Sequence, residues 1–424
     1  MLDRVLEVIN NPHVKNSSGH KPIFGRLLAV AAGLAVAGVP PASTTAAEQA
    51  GPPFADNVQL RGSLNNARIQ FERLHKGRVA FIGGSITEMN GYRPMVCDLL
   101  RRRFPSTAFK FIDAGIASTC STTGAFRLAT DVLSGDPVDL LFVEFAVNDD
   151  QDAAHTRTEC IRGLEGIIRH ARQVNPNMDI VVTYFVNEGM LKSLQSGQVP
   201  LTIEAHEAVA RHYALPTINL AKEVAEEITA GTLSWQQYGG VHPAASGNTL
   251  CTRMIDELFH RAWSESLAKD AAPKAHPAPE RPLDPYSYGS GNFLDPREAH
   301  IERGWIFTVP DWPHLPGSKR SRFISVPMLC ATEPGAELSM TFTGTAVGAY
   351  IIAGPDAGMV DATVDGGAVQ SVNLYHRFSS NLQYPRTVMF GTELNPVEHT
   401  LTLRISNATR SAGHAMRIMQ FVVN

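Results

Sequence analysis

Cysteine is scarce in this chain, with five residues in 424: Cys97, Cys120, Cys160, Cys251 and Cys330. The count is odd and no two of them have CxxC spacing. That pattern excludes a disulfide scaffold and a zinc ribbon, and it predicts buried thiols, with one bridged pair in an oxidising compartment as the alternative. No His or Cys spacing follows a metal-ligand pattern, so neither a metal nor a cofactor is expected. Charge is also low: 18% of residues are Asp, Glu, Lys or Arg, and the net charge is −4 with histidine neutral. Such a chain lacks the basic footprint of a nucleic-acid partner. Beyond the N-terminal region no apolar run is long enough to span a bilayer, and no internal repeat or heptad stands out.

The one long apolar run, Leu27–Val39, follows Lys21 and Arg26 and precedes small residues ending in Thr45-Ala46-Ala47. Basic, apolar and small segments in that order read as a signal peptide over residues 1–47, and the run is short for a membrane span. Export to the periplasm or the medium is predicted, with no stable membrane span after cleavage.

A polar lead-in over 48–77 contains one short amphipathic piece around Ala67–His75. From Arg78 onward, apolar runs alternate with helical spacing. Strands are predicted at Val79–Ile82, Phe109–Asp113, Asp139–Phe145, Asp179–Val186 and Thr217–Leu220. Their nearly continuous apolar character suits strands covered on both faces. Alternation with helices implies an α/β domain over 78–266 with a doubly wound parallel five-stranded sheet. Alternating Ala and Pro across Ala268–Pro282 cannot build a core, so 267–283 reads as an extended linker. Residues 284–424 carry many short strand-like runs between turn signals, Ser321–Pro327 among them. That pattern predicts an antiparallel β-sandwich. Its Trp305, Trp312, Tyr350, Tyr375 and His376 read first as core, with sugar stacking as the sharper alternative.

The chain is organised around Gly83-Gly84-Ser85. Two glycines let the backbone turn sharply where an apolar strand ends, and they leave a hydroxyl at the carboxyl edge of the sheet. Three further stretches fall at that edge: Asp113–Ser121, Val143–Asp149, and Gly239-Gly240-Val241-His242-Pro243. Ser85 and His242 are far apart in sequence, yet this fold can bring them to one rim as nucleophile and base.

These four blocks, in this order, resemble those of the SGNH (GDSL-type) hydrolase superfamily over roughly residues 78–260. The resemblance implies a flavodoxin-like sheet and hydrolysis of esters, often acyl esters of carbohydrates or lipids. It implies Ser85 as nucleophile, His242 as general base, and Asn148 as an oxyanion-hole donor alongside the backbone N–H of Ser85. Where the family carries a glycine in its second block, this chain has Ser118, whose backbone N–H can still serve as a third donor.

The family also carries Asp three residues before the histidine, and here that position is Gly239. Three accounts stand. A backbone carbonyl orients His242 in a Ser–His dyad; another carboxylate (Asp149, Asp150, Glu88 or Glu188) takes over; or hydrolysis has been lost. Asp149 and Asp150 also read as helix caps. Glu144 reads as a hydrogen-bonded structural carboxyl and Arg127 as a structural bridge, while Arg93 and Asn187 are candidates for substrate contact. The expectation is an exported serine esterase acting on an acylated carbohydrate. A carbohydrate-binding pseudoenzyme, or a glycosidase or lyase reusing the same rim, is the alternative.

Overall fold

The computed structural model describes residue 54 and residues 56–424. The predicted signal peptide lies outside the described residues.

The first sheet consists of β1 (Val58–Gln59), β2 (Lys76–Gly83), β3 (Ala108–Gly115), β4 (Leu140–Glu144), β5 (Asp179–Thr183) and β6 (Thr217–Ile218). Its spatial order is β1-β6-β5-β4-β2-β3. The five predicted strands pair in parallel, and β1 adds an antiparallel edge against β6. Every residue of β4 and β5 is buried, as the unbroken apolar runs require.

The helices are α1 (Asn65–Glu72), α2 (Ser85–Glu88), α3 (Tyr92–Arg103), α4 (Ser121–Asp131), α5 (Ala146–Gln151), α6 (Arg157–Val174), α7 (Glu188–Gln195), α8 (Leu201–His212), α9 (Leu220–Thr229), α10 (Trp235–Tyr238) and α11 (Ala245–Ala262). Helix α3 packs on α11, and α4, α6 and α8 pack as a second group. Register sets the functional edge. Gly83 at the end of β2 pairs with Gly115 at the end of β3 and with Glu144 at the end of β4. Three strands therefore end at one level, and Ser85, Ser118 and Asn148 all follow within four residues.

Residues 264–291 contain no helix or strand. The Ala/Pro segment is tied down along the α/β layer. Asn66 exchanges two hydrogen bonds with the Lys274 backbone at 2.8 Å each, and His276 Nε2 lies 2.7 Å from Asp179 Oδ1.

The C-terminal region forms two antiparallel sheets. One contains β7 (Asn292–Leu294), β9 (Ile306–Thr308), β10 (Met328–Ala331), β12 (Val347–Ala353), β15 (Tyr384–Gly391) and β17 (Met416–Val423). The other contains β8 (His300–Arg303), β11 (Glu337–Gly344), β13 (Met359–Val364), β14 (Gln370–Asn373) and β16 (Val397–Ile405). Leu329, Ala349, Ile351 and Phe421 face the core between these sheets. Their neighbours Cys330, Tyr350, Ile352 and Val422 belong instead to the core of the α/β layer. The first sheet is thus covered on both faces, which explains why every residue of β12 is buried. Trp305, Trp312 and Tyr350 are buried.

Ser321–Pro327 is not the strand its pattern predicts. Ser321–Phe323 is a 3-10 turn that buries Phe323 and sends Arg320 and Arg322 toward the α/β layer. All five cysteines are buried free thiols.

Candidate active site

The strand β2 breaks at Gly83-Gly84 because its surroundings leave no room for side chains. A Cβ on Gly83 would lie 2.2 Å from Glu144 Oε1, and one on Gly84 would lie 2.0 Å from Asn148 Oδ1. The turn is pinned from below. Glu144 Oε1 accepts the Gly84 N–H at 2.9 Å and the Thr87 hydroxyl at 2.7 Å. Arg127, fully buried, donates to the carbonyls of Gly83 (3.0 Å) and Ala114 (2.7 Å) and pairs with Asp131 (2.9 Å). It ties the ends of β2 and β3 together, as a structural bridge would. Burial raises the Glu144 carboxyl to about 7, against the donors from Thr87 and Gly84 that would lower it. Glu144 Oε2 has no partner, which fits a carboxyl that keeps its proton.

Ser85 opens α2, so its backbone N–H belongs to the unpaired first turn. Its Oγ lies 2.7 Å from His242 Nε2. Residues separated by 157 positions thus meet at hydrogen-bond distance. A serine hydroxyl donating to Nε2 requires the imidazole proton to sit on Nδ1.

Ser118 has φ +70°, the left-handed conformation that glycine adopts without strain. This accounts for a glycine at the equivalent family position, and the strain of keeping serine there is about 1–3 kcal/mol. Two donors hold the residue: Arg320 Nη2 reaches its Oγ at 2.7 Å, and Tyr384 OH its carbonyl at 3.3 Å. Among the described residues nothing accepts the N–H of Ser85 or of Ser118. Asn148 is buried, and its Nδ2 donates to Asp152 Oδ2 at 2.9 Å. Since Nδ2 carries two hydrogens, one remains.

The residue at 239 explains its own identity. Gly239 ends α10 with φ +108°, and a Cβ there would lie 2.1 Å from the Ala244 nitrogen. No aspartate fits this turn without opening it. None of the four alternative carboxylates reaches His242 either, because each is committed elsewhere. Asp149 accepts the Ser121 N–H (2.8 Å), the Ser121 hydroxyl (2.7 Å) and His206 Nε2 (2.9 Å). Asp150 accepts from Asn187 at 2.7 Å, and exposed Glu188 pairs with Lys192 at 2.8 Å. Glu88 takes Arg322 at 3.1 Å and the Ala117 N–H at 3.1 Å. Among the described residues no group, carbonyl or carboxylate, accepts from His242 Nδ1. What holds the loop is Asn248, whose Nδ2 donates to the carbonyls of Pro243 (2.7 Å) and Ala244 (2.9 Å).

The two substrate-contact candidates are also occupied. Arg93 bonds the Thr87 carbonyl at 3.0 Å and pairs with Asp113 at 2.7 Å. Asn187 caps α7, accepting the Met190 N–H at 2.9 Å.

Asp149 is the centre of a buried cluster. One donor atom each from Cys120, Asp149 and His155, and again from Asp149, Cys160 and His206, lie within 4.8 Å of one another. Burial alone would raise the Asp149 carboxyl, but His155 and His206 outweigh it and hold it well below the usual carboxylate range. Ser121 and His206 between them engage both oxygens of Asp149, which ties the starts of α4 and α5 to α8.

Asp152, Tyr384, Arg320 and Asn248 are the functional neighbours that sequence reading missed. Arg320 and Tyr384 act through contacts more than 200 positions away, whereas Asp152 and Asn248 bond groups within five residues, and Asn248, in the first turn of α11, carried a local signal.

Residues 81–250 match the model of the GDSL-like lipase/acylhydrolase family. No curated protein is similar to the chain. Among solved structures, a two-domain esterase active on acetylated mannans, co-crystallized with mannopentaose, aligns with TM-score 0.70 at 18% identity. The alignment covers 88% of this chain and 97% of that one. The same two-domain esterase solved without that ligand gives TM-score 0.70 at 19% identity, covering 88% and 98%. Both regions of this chain therefore share a fold with both domains of that protein. Residues 81–250 thus form a GDSL-like lipase/acylhydrolase domain, which supports a hydrolase of ester bonds.

Proposed function

We propose that this chain is an exported serine esterase that removes acetyl or similar acyl groups from a carbohydrate, working through a Ser85–His242 dyad. The observation that carries this reading is the 2.7 Å contact between Ser85 Oγ and His242 Nε2. As His242 takes its proton, Ser85 Oγ attacks the ester carbonyl carbon. The oxyanion of the tetrahedral intermediate is met by the backbone N–H groups of Ser85 and Ser118 and by Asn148 Nδ2. Fixed donors of this kind contribute roughly 3–4 kcal/mol each. Collapse of the intermediate expels the sugar oxygen, which takes the proton back from His242 and leaves an acyl-Ser85 ester. Water, deprotonated by His242, then cleaves that ester to the free acid and restores the serine.

Carbohydrate as substrate is supported by the shared two-domain fold of the acetylated-mannan esterase. Export is supported by the order of basic, apolar and small residues before Glu48. The test is acetate release from 4-nitrophenyl acetate and from a panel of acetylated polysaccharides. Ser85→Ala is expected to fold and to lose at least about 10³-fold in kcat. Undiminished turnover in that variant would overturn the nucleophile. Glycan binding with no acetate release from wild type would favour a binding protein, and chain scission without acetate a glycosidase or lyase.

A further inference from the structure

Asn148 can serve the oxyanion only if its amide presents nitrogen, not oxygen, to the reacting centre. Nothing on its own helix settles this. Its Oδ1 has no partner, and its Nδ2 has one: Asp152 Oδ2 at 2.9 Å. A carboxylate accepts and cannot donate, so this contact fixes which end of the amide is which. Asp152 is itself held from the sandwich. Tyr384, 2% exposed on β15, donates to Asp152 Oδ1 at 2.9 Å. His376 Nε2 donates to the Asp152 carbonyl at 2.8 Å and receives the Phe378 N–H on Nδ1 at 3.3 Å. The His376 ring stacks on Tyr384 with centroids 4.4 Å apart. The same Tyr384 oxygen lies 3.3 Å from the carbonyl of Ser118. One phenol from the second domain therefore stands between the two lateral donors of the oxyanion site.

Resting on the esterase reading above, we propose that Tyr384 is a positioning residue. Through Asp152 it orients the Asn148 amide, so the sandwich completes the oxyanion hole. This gives the C-terminal region a part in the chemical step, separate from any sugar it binds. The interaction is stronger in the transition state than in the ground state, because charge develops on the oxygen only there. Its loss should appear in kcat and leave KM nearly unchanged.

The test is a double-mutant cycle on the full chain with 4-nitrophenyl acetate. Tyr384→Phe removes only the hydroxyl and should lower kcat about 10- to 100-fold, with KM within about twofold. Asn148→Ala should lower kcat by at least as much. In the Asn148→Ala background, Tyr384→Phe should cost less than about threefold further, because the group it orients is gone. A merely structural tyrosine would give losses that multiply. Asp152→Ala provides a second arm with the same expected non-additivity, which keeps the proposal testable if Tyr384→Phe does not fold. Wild-type kcat in Tyr384→Phe, or multiplicative losses in either arm, overturns the inference. If Ser85→Ala remains active, the esterase reading itself has failed. If Ser85→Ala is inactive and the cycle is additive, only the positioning role is lost.

Discussion

Ser85 sits on a turn whose neighbouring polar groups nearly all have fixed partners, whereas His242 is exposed and its imidazole makes one hydrogen bond, to Ser85 itself. On the serine side, Glu144, Thr87 and Arg127 engage the backbone of two strand ends, and the second domain braces the donors. On the histidine side, two left-handed glycines and Asn248 shape a loop that gives the ring no acceptor. The difference shows where rigidity is needed. Oxyanion stabilisation depends on donors already in place when charge appears. A base that receives a proton and returns it can be held by its substrate-side contact, with water available to its far nitrogen.

Arg127→Met tests the rigid half most severely. It leaves the carbonyls of Gly83 and Ala114 without their donor inside a dry interior, a loss of about 3–5 kcal/mol for a buried charged partner. Urea unfolding should show a lower midpoint with an unchanged slope. A loss below about 1 kcal/mol would mean that the strand ends hold themselves, and the contrast between the two halves would weaken.

Glu144→Gln sharpens the same point through pH. The carboxyl is raised from 4.5 to about 7 in the folded chain, so the native state holds this proton more tightly than the unfolded one. Its contribution is complete below about pH 4.5 and declines as pH rises toward and through 7. At ~1.4 kcal/mol per pH unit the decline amounts to at most about 3.5 kcal/mol. Glutamine keeps an acceptor for Gly84 and Thr87 but does not titrate. The stability of wild type relative to Glu144→Gln should therefore fall between pH 5 and 8, as read from thermal midpoints in matched buffers. A difference that is flat across that range would place the ionised form in the fold.

The two halves were also unequally legible. The five buried strands showed as unbroken apolar runs, and Gly83-Gly84-Ser85 showed as a break at the end of one of them. The fold then allowed Ser85 and His242 to meet. What local pattern could not show is pairing across the chain. Tyr384 and Asp152 are 232 residues apart, and either reads alone as an ordinary polar residue. Ser321–Pro327 failed for a related reason: Phe323, Ile324 and Val326 read as a short strand-like run, but the chain turns there to deliver two arginines. Short β7, β8 and β10 are held by their partners rather than by their own periodicity. Asp149 and Glu88 looked available to His242 because the residues that claim them, His206 and Arg322, are remote in sequence.

Gly239→Asp probes the sparse half, and its effect on turnover should be the smallest. It restores the residue type that the family carries three positions before the histidine. If the site were a triad with one part missing, activity should rise. The geometry argues otherwise: position 239 is left-handed, and its Cβ would press on the Ala244 nitrogen at 2.1 Å. An aspartate there costs about 1–2 kcal/mol for the conformation alone. Relieving the contact with Ala244 must also move the loop that carries His242. The expected result is a lower thermal midpoint with kcat no higher than wild type, measured by 4-nitrophenyl acetate turnover below the new unfolding range. A several-fold gain in kcat would instead show that the imidazole had lacked a carboxylate all along, and that the open loop is a defect rather than a different way of holding the base.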